Sequence, residues 1–281
     1  GIRTFELVAD GRAARKEEPL PDVWDGVFEN PWYRAEFNER MELTALVEKG
    51  SRCQLLKEGR VGNQLLTYED RPMNWDNWDV DVFYQKKPYG PDRVSVPVLK
   101  ERGPVRTVVG IRLEFADSVV EQEIVLYPDL PRIDFVNRAV WNNHHLLLRV
   151  NFPVKINATR ASYEIQFGNV ERETTSNHSW DTAKFEVCAH KWADLSENGL
   201  GVSLLNDCKY GHSVKNGEMG LTLIKAGIYP NPDADMGVHE FTYSIYPHQG
   251  RWQEAATVEM AYGLNVPPVT AIVPGRGTGD S

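Results

Sequence analysis

The greatest concentration of chemically capable side chains lies in Tyr68-Glu-Asp-Arg-Pro-Met-Asn-Trp-Asp-Asn-Trp-Asp-Val-Asp-Val-Phe-Tyr84. Four acids (Asp70, Asp76, Asp79, Asp81) and two tryptophans (Trp75, Trp78) fall within twelve residues. Carboxylates accept hydrogen bonds from hydroxyls, and flat apolar rings stack on C–H faces, so the mixture suits a sugar. Asn74 and Asn77 belong to the same candidate surface, with Phe83 and Tyr84 following. Asp70, Pro72 and Asn74 read as a turn feeding an extended segment. On an extended segment Asp79 and Asp81 share a face. The plainer reading is an aromatic-rich loop packed on a domain surface, its acids bonding local backbone N–H groups.

Other candidates are sparser. Glycoside hydrolysis usually needs two flanking carboxyl groups, but 40 acids make some pair inevitable. His144 and His145 are adjacent and read as a hairpin turn. His190 precedes Trp192 on an alternating segment and could bond a neighbouring strand. His248 follows Pro247 and reads as a turn or cap before a helix. His178, His212 and His239 have no partner at a recognised metal-ligand spacing. Arg172 follows a strand end with Gly168 and Thr174; its fork fits a carboxylate, sugar hydroxyls or an interdomain salt bridge. Ser203 and Ser213 lack a Gly-x-Ser-x-Gly context, and Gly199-Leu-Gly201 lacks the third glycine of a dinucleotide loop.

Composition narrows the class. The 281 residues carry a net charge of −9 with no basic cluster, which argues against nucleic acid. No apolar run approaches the ~20 residues that span a bilayer. The three cysteines are odd in number and widely spaced, so a reducing compartment is expected. Cys188 and Cys208 read as small buried hydrophobes. The start Gly1-Ile-Arg-Thr-Phe-Glu has no apolar leader, and the chain looks cut from a longer one.

The elements that must position these residues are mostly strands. Residues 1–8 read as extended and 9–25 as loop. A hairpin joins Trp32–Phe37 to Glu42–Val47. Residues 48–67 read as mostly irregular and 86–97 as loop. Val105–Phe115 pairs with Val119–Tyr127, and Ile133–Trp141 is joined to Leu146–Ile156 through residues 142–145. Alternation puts Tyr163, Ile165 and Phe167 on one buried face, and likewise Phe185, Val187 and Ala189, and Phe241, Tyr243 and Ile245. Gly201–Asn206 and Gly220–Lys225 are short strands. Phe167, Val187, Leu204, Leu223 and Tyr243 are therefore expected inside. Arg251–Tyr262 reads as the one helix, and residues 266–281 as a fraying tail. Many short strands with one helix predict an antiparallel sandwich or barrel.

The Trp/Asp stretch also resembles the Asp-x-Pro-x-x-x-Asp-x-Trp-Asp signature in the C-terminal part of glycoside hydrolase family 38, the retaining α-mannosidases, in their cytosolic/vacuolar and bacterial branch. The resemblance continues through Tyr163-Glu-Ile-Gln-Phe-Gly168 with Arg172, and Phe185-Glu-Val-Cys-Ala-His-Lys-Trp-Ala-Asp194. It extends through Gly201-Val-Ser-Leu-Leu-Asn-Asp-Cys-Lys-Tyr-Gly211 and Tyr246-Pro-His248. It implies an all-β fold, a large antiparallel β-sandwich of galactose-mutarotase-like type with one short helix near the C-terminus, over residues 1–265. It also implies a cytoplasmic parent enzyme that hydrolyses terminal α-mannosides.

The resemblance further implies that zinc or another divalent metal and the catalytic carboxyl groups belong to an N-terminal catalytic domain, whose motifs are absent here. No catalytic residue, metal ligand or cofactor is carried over, and the fragment alone is expected to be inactive. Its expected partners are that catalytic domain and the α-mannoside; the full-length enzyme could also form a homo-oligomer. The candidates for contact with substrate or catalytic domain are Asn74, Trp75, Asp76, Asn77, Trp78, Asp79, Asp81, Arg172 and His190. Two rivals stand beside this reading: a stand-alone carbohydrate-binding module, and an aldose-epimerase-like enzyme with a His and a Glu facing each other across one pocket.

Overall fold

A computed structural model of the chain describes residues 24–271. The expectations for residues 1–23 and 272–281 lie outside the described residues. The strands are β1 Val27–Glu29, β2 Tyr33–Phe37, β3 Leu43–Glu48, β4 Cys53–Gln54, β5 Gln64–Glu69, β6 Pro88–Tyr89, β7 Arg93–Val94, β8 Val98–Arg102, β9 Thr107–Phe115 and β10 Ser118–Leu126. They continue as β11 Ile133–Trp141, β12 Leu146–Pro153, β13 Arg160–Ile165, β14 Gly168–Glu173, β15 Val187–Cys188, β16 Trp192–Glu197, β17 Leu200–Asn206, β18 Gly211–Lys215, β19 Glu218–Lys225 and β20 Gly237–Gln249. The helices are α1 Ser179–Ala183 and α2 Thr257–Asn265, and Val82–Lys86 forms a 3-10 turn.

Strand pairing is antiparallel in all three sheets. A four-stranded sheet runs β1-β2-β3-β4. A ten-stranded sheet runs β14-β13-β16-β17-β20-β11-β10-β9, with β7 and β8 both on β9. A six-stranded sheet runs β15-β18-β19-β12-β5-β6. One continuous core takes residues from all three. At its centre Phe135 stacks on Tyr243 at 5.1 Å between ring centroids, and Phe152 of the facing sheet meets Phe135 at 5.9 Å. Each such ring contributes about 1.5–3 kcal/mol through burial.

Polar side chains bridge the same core. Tyr243 Oη donates to Asn63 Oδ1 at 2.6 Å. Asn63 Nδ2 donates to Gln122 Oε1 at 2.7 Å and to the Met41 carbonyl at 3.0 Å. Gln122 Nε2 donates to Asn137 Oδ1 and Tyr243 Oη, both at 2.8 Å. Burial pushes the Tyr243 phenol far above the usual tyrosine range, so it remains a donor throughout the neutral range.

The antiparallel sandwich agrees with the patterning. Leu204, Leu223 and Tyr243 are buried inside it, and the hairpins β2–β3 and β9–β10 lie where expected. Several local expectations need correction. Phe167 is at the tip of the β13–β14 turn with φ +59° and is fully exposed, because the alternation ends at Ile165. Val187 is half-buried, since β15 is only two residues long at a sheet edge. Cys188 and Cys208 are exposed, as is Cys53. Residues 142–145 are not a hairpin turn. They carry the chain from β11 in the ten-stranded sheet to β12 in the six-stranded sheet. Residues 64–69 form a strand, and short strands interrupt 86–97. The helix starts at Thr257 rather than Arg251, because Ala256 is left-handed (φ +59°) and breaks the helical path.

Helix α2 lies over the outer face of the ten-stranded sheet, where Ala261 joins Trp192, Leu205 and Tyr246 in a second apolar cluster. The return leg of the Trp/Asp stretch covers the other outer face. There Tyr84 and Val80 pack with Tyr68, Leu147 and Phe185.

The bridging ring generates a stability prediction. Tyr243→Phe keeps the ring stack but leaves Asn63 Oδ1 and one Gln122 donor bond without the phenol. It should cost about 1–3 kcal/mol, read as a lower melting temperature with unchanged far-ultraviolet circular dichroism.

Candidate functional site

After β5 the backbone turns at Asp70, whose carboxylate pairs with Lys225. Burial pushes the Asp70 carboxyl above its usual range despite that lysine. The stretch beyond it is not a strand. Trp78 N and Asp79 N both donate to the Trp75 carbonyl, at 2.7 and 2.9 Å, so residues 75–79 are a tight turn. Asp79 and Asp81 therefore do not share a strand face, which corrects the extended reading.

The acids fasten the loop. Asp76 Oδ2 accepts the backbone N–H of Ile228 at 2.6 Å and of Tyr229 at 3.2 Å. Its Oδ1 lies 3.5 Å from His145 Nδ1. Asp81 Oδ2 accepts Met73 N–H at 2.8 Å, and Asp79 Oδ1 accepts Val80 N–H at 2.9 Å. Asn77 N donates to the Tyr229 carbonyl and Asn77 Nδ2 to the Asn231 carbonyl, each at 3.2 Å. Gly227 makes this approach feasible, because a Cβ there would stand 2.1 Å from Asn77 Oδ1 and 3.0 Å from the Asp76 carbonyl. Burial opposes ionisation of Asp76, but the Ile228 N–H and then His145 hold its carboxyl below the usual range.

The rings, by contrast, are left outside. Trp75 is 66% exposed and Trp78 68%, with ring centroids 6.2 Å apart and planes tilted by 45°. This excludes a place for either indole inside the sandwich. Trp75 has φ +59°, a conformation disfavoured for a bulky side chain. Met73, Phe83, Ile228 and Tyr229 are exposed too, as is Asn74. The result is an apolar platform with Asp79 exposed on the same turn. Carboxylates turned toward their own chain suit positioning better than proton transfer. Tyr229 and Ile228 were not anticipated; the signal available was a bulky apolar pair beside Pro230 in a segment rich in turn residues.

Arg172 and His190 lie elsewhere, and none of their hydrogen bonds or ring contacts reaches residues 74–81. Arg172, inside β14 rather than after a strand, stacks its guanidinium 4.7 Å from the Tyr163 ring centroid. His190 meets the Tyr210 ring edge-on at 5.3 Å between centroids and shares a cleft with Glu164. Glu164 is already engaged: its carboxylate accepts Lys191 N–H at 2.6 Å, with Lys191 Nζ at 3.3 Å. A carboxylate so held suits hydrogen bonding better than the proton shuttling of an epimerase.

His248 is within β20, not in a turn. Its Nε2 and Ser203 Oγ each lie 2.8 Å from Asp194 Oδ2, under α2. With the carboxylate between them and all three buried, the imidazole does not address the serine as a nucleophilic triad requires. The cluster anchors the helix instead, through Thr257 Oγ1 at 2.8 Å from Ser203 Oγ. Among the described residues no three His, Cys, Asp or Glu side chains converge to hold a metal ion. The described residues therefore offer no donor set that fits the zinc implied by the resemblance. No helix among them is long and apolar enough to cross a membrane.

Comparison with known proteins places these features in context. The profile described as "Glycosyl hydrolases family 38 C-terminal domain" matches residues 28–233. Alpha-mannosidase G of Dictyostelium discoideum is 40% identical over 259 residues, covering 90% of this chain and 24% of that protein. Alpha-mannosidase 2C1 of Homo sapiens is 40% identical over 248 residues, covering 85% of this chain and 23% of that protein. The chain thus spans about a quarter of the length of these curated relatives. The crystal structure of an alpha-mannosidase from Enterococcus faecalis V583 shares the fold, with TM-score 0.69 and 15% identity over 86% of this chain and 31% of that one.

The fastening of the loop predicts a pH response. Because the folded-state pKa of Asp76 is lowered, its stabilising contribution is present above the unfolded value of ~3.9 and disappears as pH falls through the folded value. Asp76→Asn should raise the hydrogen-exchange rates of the Ile228 and Tyr229 amides at pH 7, and native protein should lose that protection only in acid below about pH 4. Equal exchange in both proteins at pH 7 would contradict the assigned role.

Proposed function

The chain belongs to the glycosyl hydrolase family 38 C-terminal domains, and from that premise we propose that it is the β-sandwich portion of a longer, cytoplasmic α-mannosidase. Among the described residues the domain runs to residue 265, where α2 ends. The rest of the enzyme supplies the metal and the carboxyl groups that hydrolyse terminal α-mannosides with retention. This portion supports it, and the Trp75–Trp78 platform faces it at or near the sugar pocket.

The observation that carries the proposal is the division of labour in residues 70–81. The acids hold the loop to residues 225–229 and His145 while two indoles stay in solvent. A large exposed apolar patch usually meets a partner, and the matched relatives carry roughly three quarters of their length outside the aligned region. The cytoplasmic assignment is supported by three unpaired, exposed cysteines, which suit a reducing compartment.

In the complete enzyme, Trp75→Ala or Trp78→Ala should reduce kcat/KM for an α-mannoside by the equivalent of ~2 kcal/mol or more, with little change in melting temperature. Loss of stability without selective loss of activity would refute the platform's role. The 281-residue chain alone should not turn over an aryl α-mannoside, with or without zinc, since binding alone cannot supply the required transition-state stabilisation. Metal-dependent turnover abolished by a point substitution in this chain would overturn the division between the two portions.

A further inference from the structure

A second group of aromatic side chains surrounds a cleft of about 480 Å³ between the β13–β14 turn and α2. Its outlier is Phe167. In a two-residue turn between Ile165 and Gly168, where glycine or asparagine would sit without strain, the chain places a phenyl ring with φ +59° wholly in solvent. Strained backbone that presents an unburied ring is an observation from which function can be inferred.

The opposite wall is also aromatic. Trp252 packs on the buried Trp192 at 4.8 Å between ring centroids, and Tyr262 carries Lys191 Nζ 4.7 Å from its own. Between the walls are polar groups that can meet hydroxyls: the exposed amides of Gln166 and Asn169, the His190 imidazole and the Glu164 carboxylate. Lys191 and Glu164 neutralise each other at 3.3 Å. An anionic ligand would therefore have to displace Glu164 from the lysine lining the cleft. The volume falls within the range of small-molecule sites and accommodates about one or two sugar units.

We propose that this cleft is a saccharide-binding subsite for a neutral pyranose unit of a glycan, with the ring faces held by Phe167, Trp252 and Tyr262 and the hydroxyls by Gln166, Asn169 and Glu164. It depends on the mannosidase reading only for the choice of probe. The cleft can bind sugar if that reading fails, and hydrolysis by the longer protein can stand if the cleft binds nothing.

The test is calorimetric titration of the 281-residue chain with methyl α-D-mannopyranoside and with mannotriose. Saturable binding is expected with a Kd on the order of 1 mM. Phe167→Ala and Asn169→Ala should each weaken it by about tenfold. Phe167 is exposed on the turn and Asn169 at the adjoining end of β14, so neither variant should alter the circular dichroism spectrum; Trp252 is a poorer choice because its ring packs on the buried Trp192. The proposal is overturned by absence of saturation, or by an unchanged Kd in both the Phe167 and the Asn169 variants. It is equally overturned if Trp75→Ala abolishes the isotherm while Phe167→Ala does not, which places the sugar on the other loop. A further contrary result is Phe167→Ala leaving sugar affinity intact while weakening association with the remainder of the enzyme, which makes this face a protein contact.

Discussion

Three buried polar side chains, Asn63, Gln122 and Tyr243, tie the two large sheets together in a closed hydrogen-bonded ring, to which Asn137 is joined through Gln122. In an apolar interior each member is costly unless all are satisfied, so the ring selects a single register of one sheet against the other. Asn63 takes φ +54°, which asparagine tolerates better than most residues, and immediately precedes β5. With β5 placed, pairing with β12 puts Asp70 beside His145, where Asp70 N donates to the His145 carbonyl at 2.8 Å. The fastening of the tryptophan loop thus begins with the ring in the core.

The outer faces follow the same logic with charges. On the six-stranded sheet Arg149 is buried and meets Glu186 at 2.5 Å, with Thr222 and Ser213 each 2.7 Å from its guanidinium. Removing one partner of such a pair strands the other charge, so the segment bearing Glu186 stays down over β12 and carries Phe185 to the Tyr84 ring at 6.4 Å. On the ten-stranded sheet Asp194 plays the corresponding part for α2. Both outer coverings end in exposed aromatic groups, Trp75 and Trp78 on one and Phe167 with Tyr262 on the other. Trp75 and Phe167 share the same strained backbone conformation.

The division between what could and could not be foreseen runs along interaction range. Period-two alternation identifies β13 and β20 because a strand with one wet face must alternate. It fails at Phe167, where the pattern runs one residue past the strand into a turn. It is silent on Ser244 and His248, buried polar side chains of β20 that bond the carboxylates of Asp134 and Asp194. The concentration of acids and indoles in residues 70–81 was visible in the chain, as was the option that the acids bond local backbone.

What the amino-acid sequence determined by itself is therefore the class of fold, the family and the segment where exposed rings gather, since all three rest on local pattern or on strings of neighbouring residues. The tertiary structure alone decided which acids serve as fasteners, because the partners of Asp70 and Asp76 lie about 150 residues away in residues 225–229. It also decided that residues 142–145 change sheets instead of closing a hairpin. Such outcomes depend on which surfaces meet once the core has packed, and no local periodicity encodes a contact across that distance.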